Sequence, residues 1–98
     1  MSITNNIFYI GKNARDFMNE MINSKVVDEI RKVEGVLKYE YYQSVENSNL
    51  VLLVDSFINQ EALDNYHKSD VMKKVINIRN KYDLKMEVKN TRKLIILM

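Results

Sequence analysis

Residues 36–57 restrict the fold more than any other part of the sequence. Residues 36–43 are rich in aromatic side chains and alternate in polarity, which is typical of a β-strand. The polar run 46–49 predicts a turn, and residues 50–57 predict a second strand. Because residues 50–54 form an unbroken apolar run, we expect both faces of this second strand to be covered. The segment therefore predicts a hairpin within a larger sheet.

A strand and a helical segment are predicted before this hairpin. Residues 7–10 are β-prone and lead into a turn that begins at Gly11. From Ala14 onward, apolar residues recur at steps of three and four, which predicts an amphipathic helix that ends at Gly35. Its apolar positions are Phe17, Met18, Met21, Ile22, Val26, Ile30 and Val33. Residues 23–24 are polar and lie within this stripe, so we expect them to kink or divide the helix.

Two short helices and a strand are predicted after the hairpin. Asn59 is expected to cap the first helix, whose apolar residues are Ala62, Leu63 and Tyr66. Residues 69–70 are expected to cap the second. One side of that helix carries Val71, Met72, Val75, Ile76 and Arg79. Residues 84–88 alternate between apolar and charged, which predicts a half-buried strand. The order βαββαβ indicates an α+β, ferredoxin-like fold, a four-stranded antiparallel sheet with helices on one face.

A sheet with helices on one face leaves its other face open. If both faces of residues 50–57 are apolar, a second copy of the chain is the simplest cover, and we expect a two-fold homodimer. An apolar area of roughly 600 Å² would contribute about 15 kcal/mol before the costs of association. We expect residues 1–98 to form a single domain, in which residues 91–98 are either a C-terminal strand extension or a tail.

Composition excludes several classes of protein. The chain has no cysteine and a single histidine, so neither thiolate chemistry nor a metal site built from several imidazoles is expected. The net charge of +2 is spread along the chain, and the aromatic signature of RNA-recognition modules is absent, so we expect no nucleic-acid partner. The apolar runs are far shorter than the roughly twenty residues of a membrane span. No cleavable signal precedes the first strand, and we expect a cytoplasmic protein without a membrane partner.

Three motifs in this order resemble the antibiotic biosynthesis monooxygenase domain. They are Glu34-Gly35 at the start of the second strand, Asp55-Ser56-Phe57 at the end of the third, and the helical run of residues 61–69. The likeness extends from Gly11 to about Tyr82. It implies a dimeric α/β barrel in which two protomers meet sheet to sheet, each with an apolar cavity between its sheet and helices. It also implies oxidation of a quinol or polyphenol-type aromatic substrate by O2, with no metal, flavin or other cofactor.

The chain departs from this family at three positions. The usual helix histidine falls on Tyr66, with His67 one place later, and the usual tryptophan of the acidic triplet is Phe57. In heme-degrading relatives, the resemblance places the axial histidine near Ile76, which cannot ligate iron. The resemblance therefore disfavours heme binding and degradation.

The candidate catalytic residues are Tyr66, His67 and Asp55. Asp55 alternates with apolar residues on one strand face, so burial would raise its pKa and make it a usable base; the alternative is a salt bridge at the dimer interface. Tyr66 either donates a hydrogen bond into the cavity or is a core residue with a wetted hydroxyl. His67 is either a general base or a surface residue beside the apolar stripe.

The candidate substrate-binding residues are Phe57, Tyr39, Tyr41 and Met72. Tyr39 and Tyr41 share one face of their strand, where aromatic walls would suit a planar ligand, although sheet packing is the ordinary role of such residues. Met72 would adapt to a ligand or simply fill the core. The alternative to an oxygenase is a non-catalytic dimer of the same fold that binds a small apolar ligand or serves as a scaffold.

Overall fold

A computed structural model describes residues 2–90 of the chain. Along the chain lie β1 (Ile3–Ile10), α1 (Ala14–Asn23), α2 (Val26–Arg31), β2 (Val36–Gln43), β3 (Leu50–Phe57), α3 (Gln60–His67), α4 (Asp70–Arg79) and β4 (Lys85–Asn90). The strands form one antiparallel sheet in the order β2-β3-β1-β4, with the helices packed on one face. The predicted α+β, ferredoxin-like fold is thereby confirmed. The predicted strand extension or tail at residues 91–98 lies outside the described residues.

β3 is the strand on which the sheet and the core depend. It pairs with β1 on one side and with β2 on the other, so its backbone is hydrogen-bonded along both edges. Its odd-numbered residues are buried beneath the helices, while its even-numbered residues are half-buried on the opposite face. A single chain therefore covers the helix face of β3 completely and its other face, hereafter the open face, only in part.

The helical segment before β2 is divided where the sequence predicted a break. α1 ends at Asn23, Ser24 follows it, and Lys25 adopts a left-handed conformation with φ 71° before α2 begins. The predicted end of the helix at Gly35 is wrong, because α2 stops at Arg31. Two tight turns intervene, with the amides of Lys32 and Val33 bonded to carbonyls three residues earlier. Gly35, with φ 86°, reverses the chain into β2 instead of ending the helix.

β1 begins earlier than its β-prone run indicates. It starts at Ile3, and two of its polar residues, Thr4 and Asn5, pair with polar residues of β3. The hydroxyls of Thr4 and Ser56 lie 2.8 Å apart, and Asn5 stands opposite Asp55. These pairings extend β1 across the end of β3 that carries the acidic triplet.

The predicted caps of α3 and α4 are present, whereas Asn13 precedes α1 without a capping hydrogen bond from its side chain. The Asn59 side chain accepts a hydrogen bond of 2.9 Å from the Ala62 amide at the start of α3. The Ser69 hydroxyl accepts one of 3.3 Å from the Met72 amide at the start of α4. The caps fix where each helix begins and therefore which of its side chains face the sheet.

Replacing Gly35 by alanine should destabilise the fold by about 1–3 kcal/mol. An added Cβ would lie 2.5 Å from the Ala62 Cβ in α3, and the backbone would still need its positive φ of 86°. Urea denaturation of Gly35→Ala and wild-type protein would measure the change, with exposed Ser48→Ala as the control. A Gly35→Ala protein within 0.5 kcal/mol of wild type, about the size of an ordinary surface effect, would contradict this packing.

Candidate functional site

A pocket of about 250 Å³ lies between the helix face of the sheet and the helices α3 and α4. Five of the seven predicted site residues line it, and they come from β2, β3, α3 and α4: Tyr39, Asp55, Tyr66, His67 and Met72. Apolar side chains of the sheet form much of its wall, including Ile7, Leu53 and Val88. The other two predicted residues, Phe57 and Tyr41, do not line it. The pocket thus joins residues that are far apart in the sequence.

Asp55 is the buried carboxylate of this pocket. Only 3% of the residue is exposed, and its Oδ1 accepts a hydrogen bond of 3.2 Å from the Asn5 side chain. Burial raises the pKa of Asp55 to about 6, and the hydrogen bond from Asn5 acts in the opposite direction. Within residues 2–90, no lysine or arginine forms an ion pair with it. Near neutral pH the group is mainly ionised, yet it accepts a proton more readily than an ordinary carboxylate.

Buried tyrosines surround Asp55. Tyr39 is only 2% exposed and stands opposite Asp55 in the sheet, while Tyr66 is 3% exposed and approaches from α3. Their ring centroids are 6.4 Å apart. Burial holds the pKa of both phenols well above its usual value, and the charge of Asp55 adds to the rise for Tyr66. Both hydroxyls therefore stay protonated and can donate hydrogen bonds to an anion.

Phe57 and Tyr41 pack against the tyrosines that line the pocket. Phe57 is fully buried and stacks on Tyr66, with centroids 5.5 Å apart and planes inclined by 29°. Tyr41 packs edge-on against Tyr39, with centroids 5.8 Å apart, and also against Phe17 of α1. These contacts hold the rings of Tyr39 and Tyr66 in place. A direct contact of Phe57 or Tyr41 with substrate stays a prediction.

The Tyr41 hydroxyl is buried without a hydrogen-bond partner among the described residues. It lies near the Tyr39 hydroxyl, and the two phenols influence each other's pKa. A buried hydroxyl left in this way costs about 1–3 kcal/mol.

His67 and Met72 lie at the rim of the pocket. His67 is exposed at the end of α3, with its ring 5.7 Å from that of Tyr66. Met72 is half-buried in the first turn of α4. His67 is therefore in contact with solvent, while Asp55 and Tyr66 are almost completely buried.

Sequence reasoning did not assign Asn5, Tyr9 or Arg79 to the site, and all three line the pocket. Burial raises the pKa of Tyr9 to about 12, although the nearby charge of Arg79 opposes the rise. Arg79 lies on the same side of its helix as the apolar residues, so the sequence already indicated that its side chain faces the sheet. For Asn5 the only signal was the resemblance, in which heme-degrading relatives have an asparagine near Asn5 or Asn6; its place beside Asp55 depends on the pairing of β1 with β3.

Residues 2–90 hold neither a clustered metal site nor a membrane-spanning helix. That part of the chain contains no group of three or more histidine or acidic side chains arranged to hold a metal ion. None of its helices is long and apolar enough to cross a membrane.

Comparison with known proteins identifies one sequence family. Residues 13–77, about two thirds of the chain, match the family described as antibiotic biosynthesis monooxygenase. No curated protein matches the sequence significantly.

Solved structures share the fold. A conserved protein of unknown function from Bacteroides thetaiotaomicron has a TM-score of 0.74 and 17% identity, over 91% of this chain and 96% of the other. A conserved protein from Methanosarcina mazei has a TM-score of 0.71 and 19% identity, over 91% of each chain. A proposed antibiotic biosynthesis monooxygenase from Deinococcus radiodurans has a TM-score of 0.69 and 15% identity, over 91% of this chain and 90% of the other. At these identities the likeness shows the fold.

Asp55 should make the protein less stable as pH rises from about 4 to about 6. The folded protein holds the Asp55 proton with a pKa of about 6, against an ordinary value near 3.8, so it binds that proton more tightly than the unfolded chain does. The unfolding free energy of wild type minus that of Asp55→Asn should fall by about 2–3 kcal/mol across this range and stay flat outside it. Urea denaturation at a series of pH values would measure the difference.

Asp83→Asn is the matched control, because Asp83 is exposed. Its difference from wild type should stay nearly constant over the same pH range. A wild-type minus Asp55→Asn difference that rises with pH would show instead that the fold stabilises Asp55 as a carboxylate and that burial does not raise its pKa.

Proposed function

The chain belongs to the antibiotic biosynthesis monooxygenase family, and from that membership we propose that it oxidises a quinol or polyphenol-type aromatic with O2 in the pocket around Asp55. One observation carries the proposal. A buried carboxylate with a raised pKa and no cationic partner in the described chain faces an apolar pocket whose nearest polar neighbours include protonated phenols. Such a site can remove a proton from a hydroxylated ring and stabilise the anion that remains.

The first proposed step is transfer of a proton to Asp55. The aromatic ring lies between apolar residues of the sheet and of α3 and α4, with a hydroxyl group directed at the Asp55 carboxylate. Asn5 orients that carboxylate through its hydrogen bond of 3.2 Å. Asp55 is only 3% exposed, so the phenolate beside it forms in a medium of low dielectric constant, where hydrogen bonds to it are strong. The proton accepted by Asp55 comes from the substrate hydroxyl.

The second proposed step is reaction of the phenolate with O2. The phenolate gives one electron to O2, which leaves a substrate radical and superoxide. These two radicals combine at a ring carbon that carries hydrogen, and the new C–O bond gives a peroxide attached to the ring. The peroxide takes up a proton, its O–O bond breaks, and the ring carbon loses its hydrogen as a proton. One oxygen atom stays on the ring as a carbonyl and the other leaves as water. The substrate supplies all the electrons, so the reaction needs no further reductant.

Tyr66 and Tyr39 are the proposed donors to the anion. Their phenols stay protonated because burial raises the pKa of each. Hydrogen bonds aimed at charge that develops during the reaction lower its barrier, and loss of one such donor typically costs about 10²–10³ in kcat. The positions of Tyr66, above stacked Phe57, and of Tyr39, beside Tyr41, support this role.

We also propose that a second copy of the chain covers the open face. Phe8 and Ile10 of β1 and Leu52 and Val54 of β3 lie on this face and are half-buried. Charged residues flank them: Lys38, Glu40, Glu87 and Lys89. An apolar centre with a charged rim is the arrangement of protein interfaces. The pocket lies on the opposite face of the sheet, so a partner docked here would leave it accessible.

Asp55→Asn should lower kcat for a quinol such as menadiol by about 10²–10⁴, because it removes the proton acceptor. Oxygen uptake, corrected for uncatalysed autoxidation, would measure this loss, and Asp83→Asn should keep wild-type activity. In wild type, kcat/KM should rise with pH up to about 6 and then level off, since the ionised carboxylate is the active form. His67→Ala should lose less than Asp55→Asn, because His67 is exposed at the rim.

Three results would count against this assignment. Asp55→Asn activity within a factor of three of wild type would exclude Asp55 as the base. A larger loss in His67→Ala than in Asp55→Asn would transfer that role to His67. Binding of aromatics without oxygen uptake above the uncatalysed rate would favour a non-catalytic binding protein.

Leu52→Lys should convert the dimer into a monomer, because it places a charge at the centre of the open face. Sedimentation velocity should give about twice the 11.6 kDa chain mass for wild type and one chain mass for the variant. Val45→Lys is the matched control, since Val45 is fully exposed in the turn between β2 and β3. A wild-type protein that stays at 11.6 kDa at high concentration would contradict the dimer.

A further inference from the structure

We propose that the aromatic ligand carries an anionic group, a carboxylate in the simplest case, and that Arg79 binds this group at the end of the pocket remote from Asp55. The inference rests on the proposed function, because it describes the substrate of the same pocket. It adds a chemical class, an aromatic acid with a phenolic hydroxyl at its other end, and assigns Arg79 as the residue that orients it.

Arg79 is placed to reach into the pocket. It is the last residue of α4, is half-buried and lines the cavity. Its Nη1 lies 3.6 Å from the Met86 sulfur on β4, and its charge acts on the Tyr9 hydroxyl. The guanidinium is thus located over the β1 and β4 side of the pocket, near Met86 and Tyr9, which pair in the sheet.

The guanidinium lacks an anionic partner within residues 2–90. Lys74 and Lys81 form ion pairs with Glu29 and Glu20, whereas Arg79 forms none with any carboxylate of that part of the chain. A thioether sulfur is only a weak acceptor and the Tyr9 hydroxyl accepts one hydrogen bond, so most of the five N–H donors of Arg79 stay available. A planar guanidinium in this state suits a carboxylate, which can accept two parallel hydrogen bonds.

The sheet register separates Arg79 from Asp55. On β1, Asn5 stands opposite Asp55, while Tyr9 stands opposite Met86, the contact of Arg79. Asn5 and Tyr9 are four residues apart along the strand, which corresponds to about 13 Å between their Cα atoms. The wall between the two ends is apolar and includes Ile7, Leu53 and Val88. The pocket therefore has a carboxylate at one end, a cation at the other and an apolar middle.

This polarity determines how an acidic ligand would lie. An anionic group beside Asp55 would meet a like charge in a buried site, which is strongly unfavourable. The same group beside Arg79 forms charge-assisted hydrogen bonds with the guanidinium. It also keeps part of its hydration, because the neighbouring Met86 and Val88 are 44% and 56% exposed. The hydroxyl end is then directed to Asp55. Arg79 would thus be a residue that fixes substrate orientation.

The test compares two probes that differ in charge. 6-Hydroxy-2-naphthoate and its neutral analogue 6-hydroxy-2-naphthamide are titrated into the whole protein with oxygen removed, and naphthol fluorescence reports binding. Wild type should bind the naphthoate about tenfold more tightly than the amide. Arg79→Gln should weaken naphthoate binding about tenfold and change amide binding less than twofold. Lys73→Gln removes an exposed charge from the same helix and should leave both affinities unchanged.

Salt provides a readout that does not depend on a variant's folding. In wild type, naphthoate affinity should fall as sodium chloride rises, while amide affinity stays nearly constant. Equal affinity for the two probes, equal losses for both in Arg79→Gln, or binding of neither would each overturn the proposal.

The failures of the two proposals can be distinguished. A charge preference that depends on Arg79, found together with no oxygen uptake, keeps this inference and removes the oxygenase. Oxygen uptake that depends on Asp55, found together with no charge preference, keeps the oxygenase and removes this inference.

Discussion

The alternation of side chains along β3 is the constraint on which the rest of the structure depends. Because β3 is paired along both edges, its register cannot shift without breaking two ladders, and Val51, Leu53, Asp55 and Phe57 must all face the helices. The apolar members form the centre of the core. The same geometry carries Asp55 into this dry space, where its carboxylate is poorly solvated and its pKa rises. The core and the candidate site are therefore products of one strand.

The fold was predictable wherever the signal is local. The bounds of β2 follow from alternation, and those of β3 from an apolar run after a polar turn. The caps at Asn59 and Ser69 follow from side chains that accept hydrogen bonds from nearby backbone amides. The early start of β1 was not predictable, because Thr4 and Asn5 become strand residues only by pairing with β3. The end of α2 before Gly35 was missed for a related reason: the glycine serves a chain reversal packed against α3.

In the candidate site, too, residues marked by a local pattern were predictable and residues placed by tertiary contacts were not. Alternation and the helix stripe placed Asp55 and Tyr66 on buried faces, and both line the pocket. Tyr39 and Tyr41 share a strand face, so the sequence cannot distinguish them; packing of Phe17 from α1 against Tyr41 leaves Tyr39 as the one that lines the cavity. The sequence did not place Asn5 and Arg79 in this pocket, because their positions depend on the order of strands in the sheet and on the approach of α4 to β4. Side-chain chemistry was readable from the sequence, but neighbours across the sheet were not.

A crystal structure of the protein with a hydroxylated naphthalene, grown and frozen without oxygen, would show whether Asp55 meets the substrate hydroxyl. We expect a ring between the sheet and helices α3 and α4, with its hydroxyl oxygen about 2.5–2.8 Å from an Asp55 carboxylate oxygen. A well-ordered ring elsewhere on the protein, or a ring in the pocket whose hydroxyl avoids Asp55 while that carboxylate stays bonded to Asn5 alone, would contradict the role proposed for Asp55.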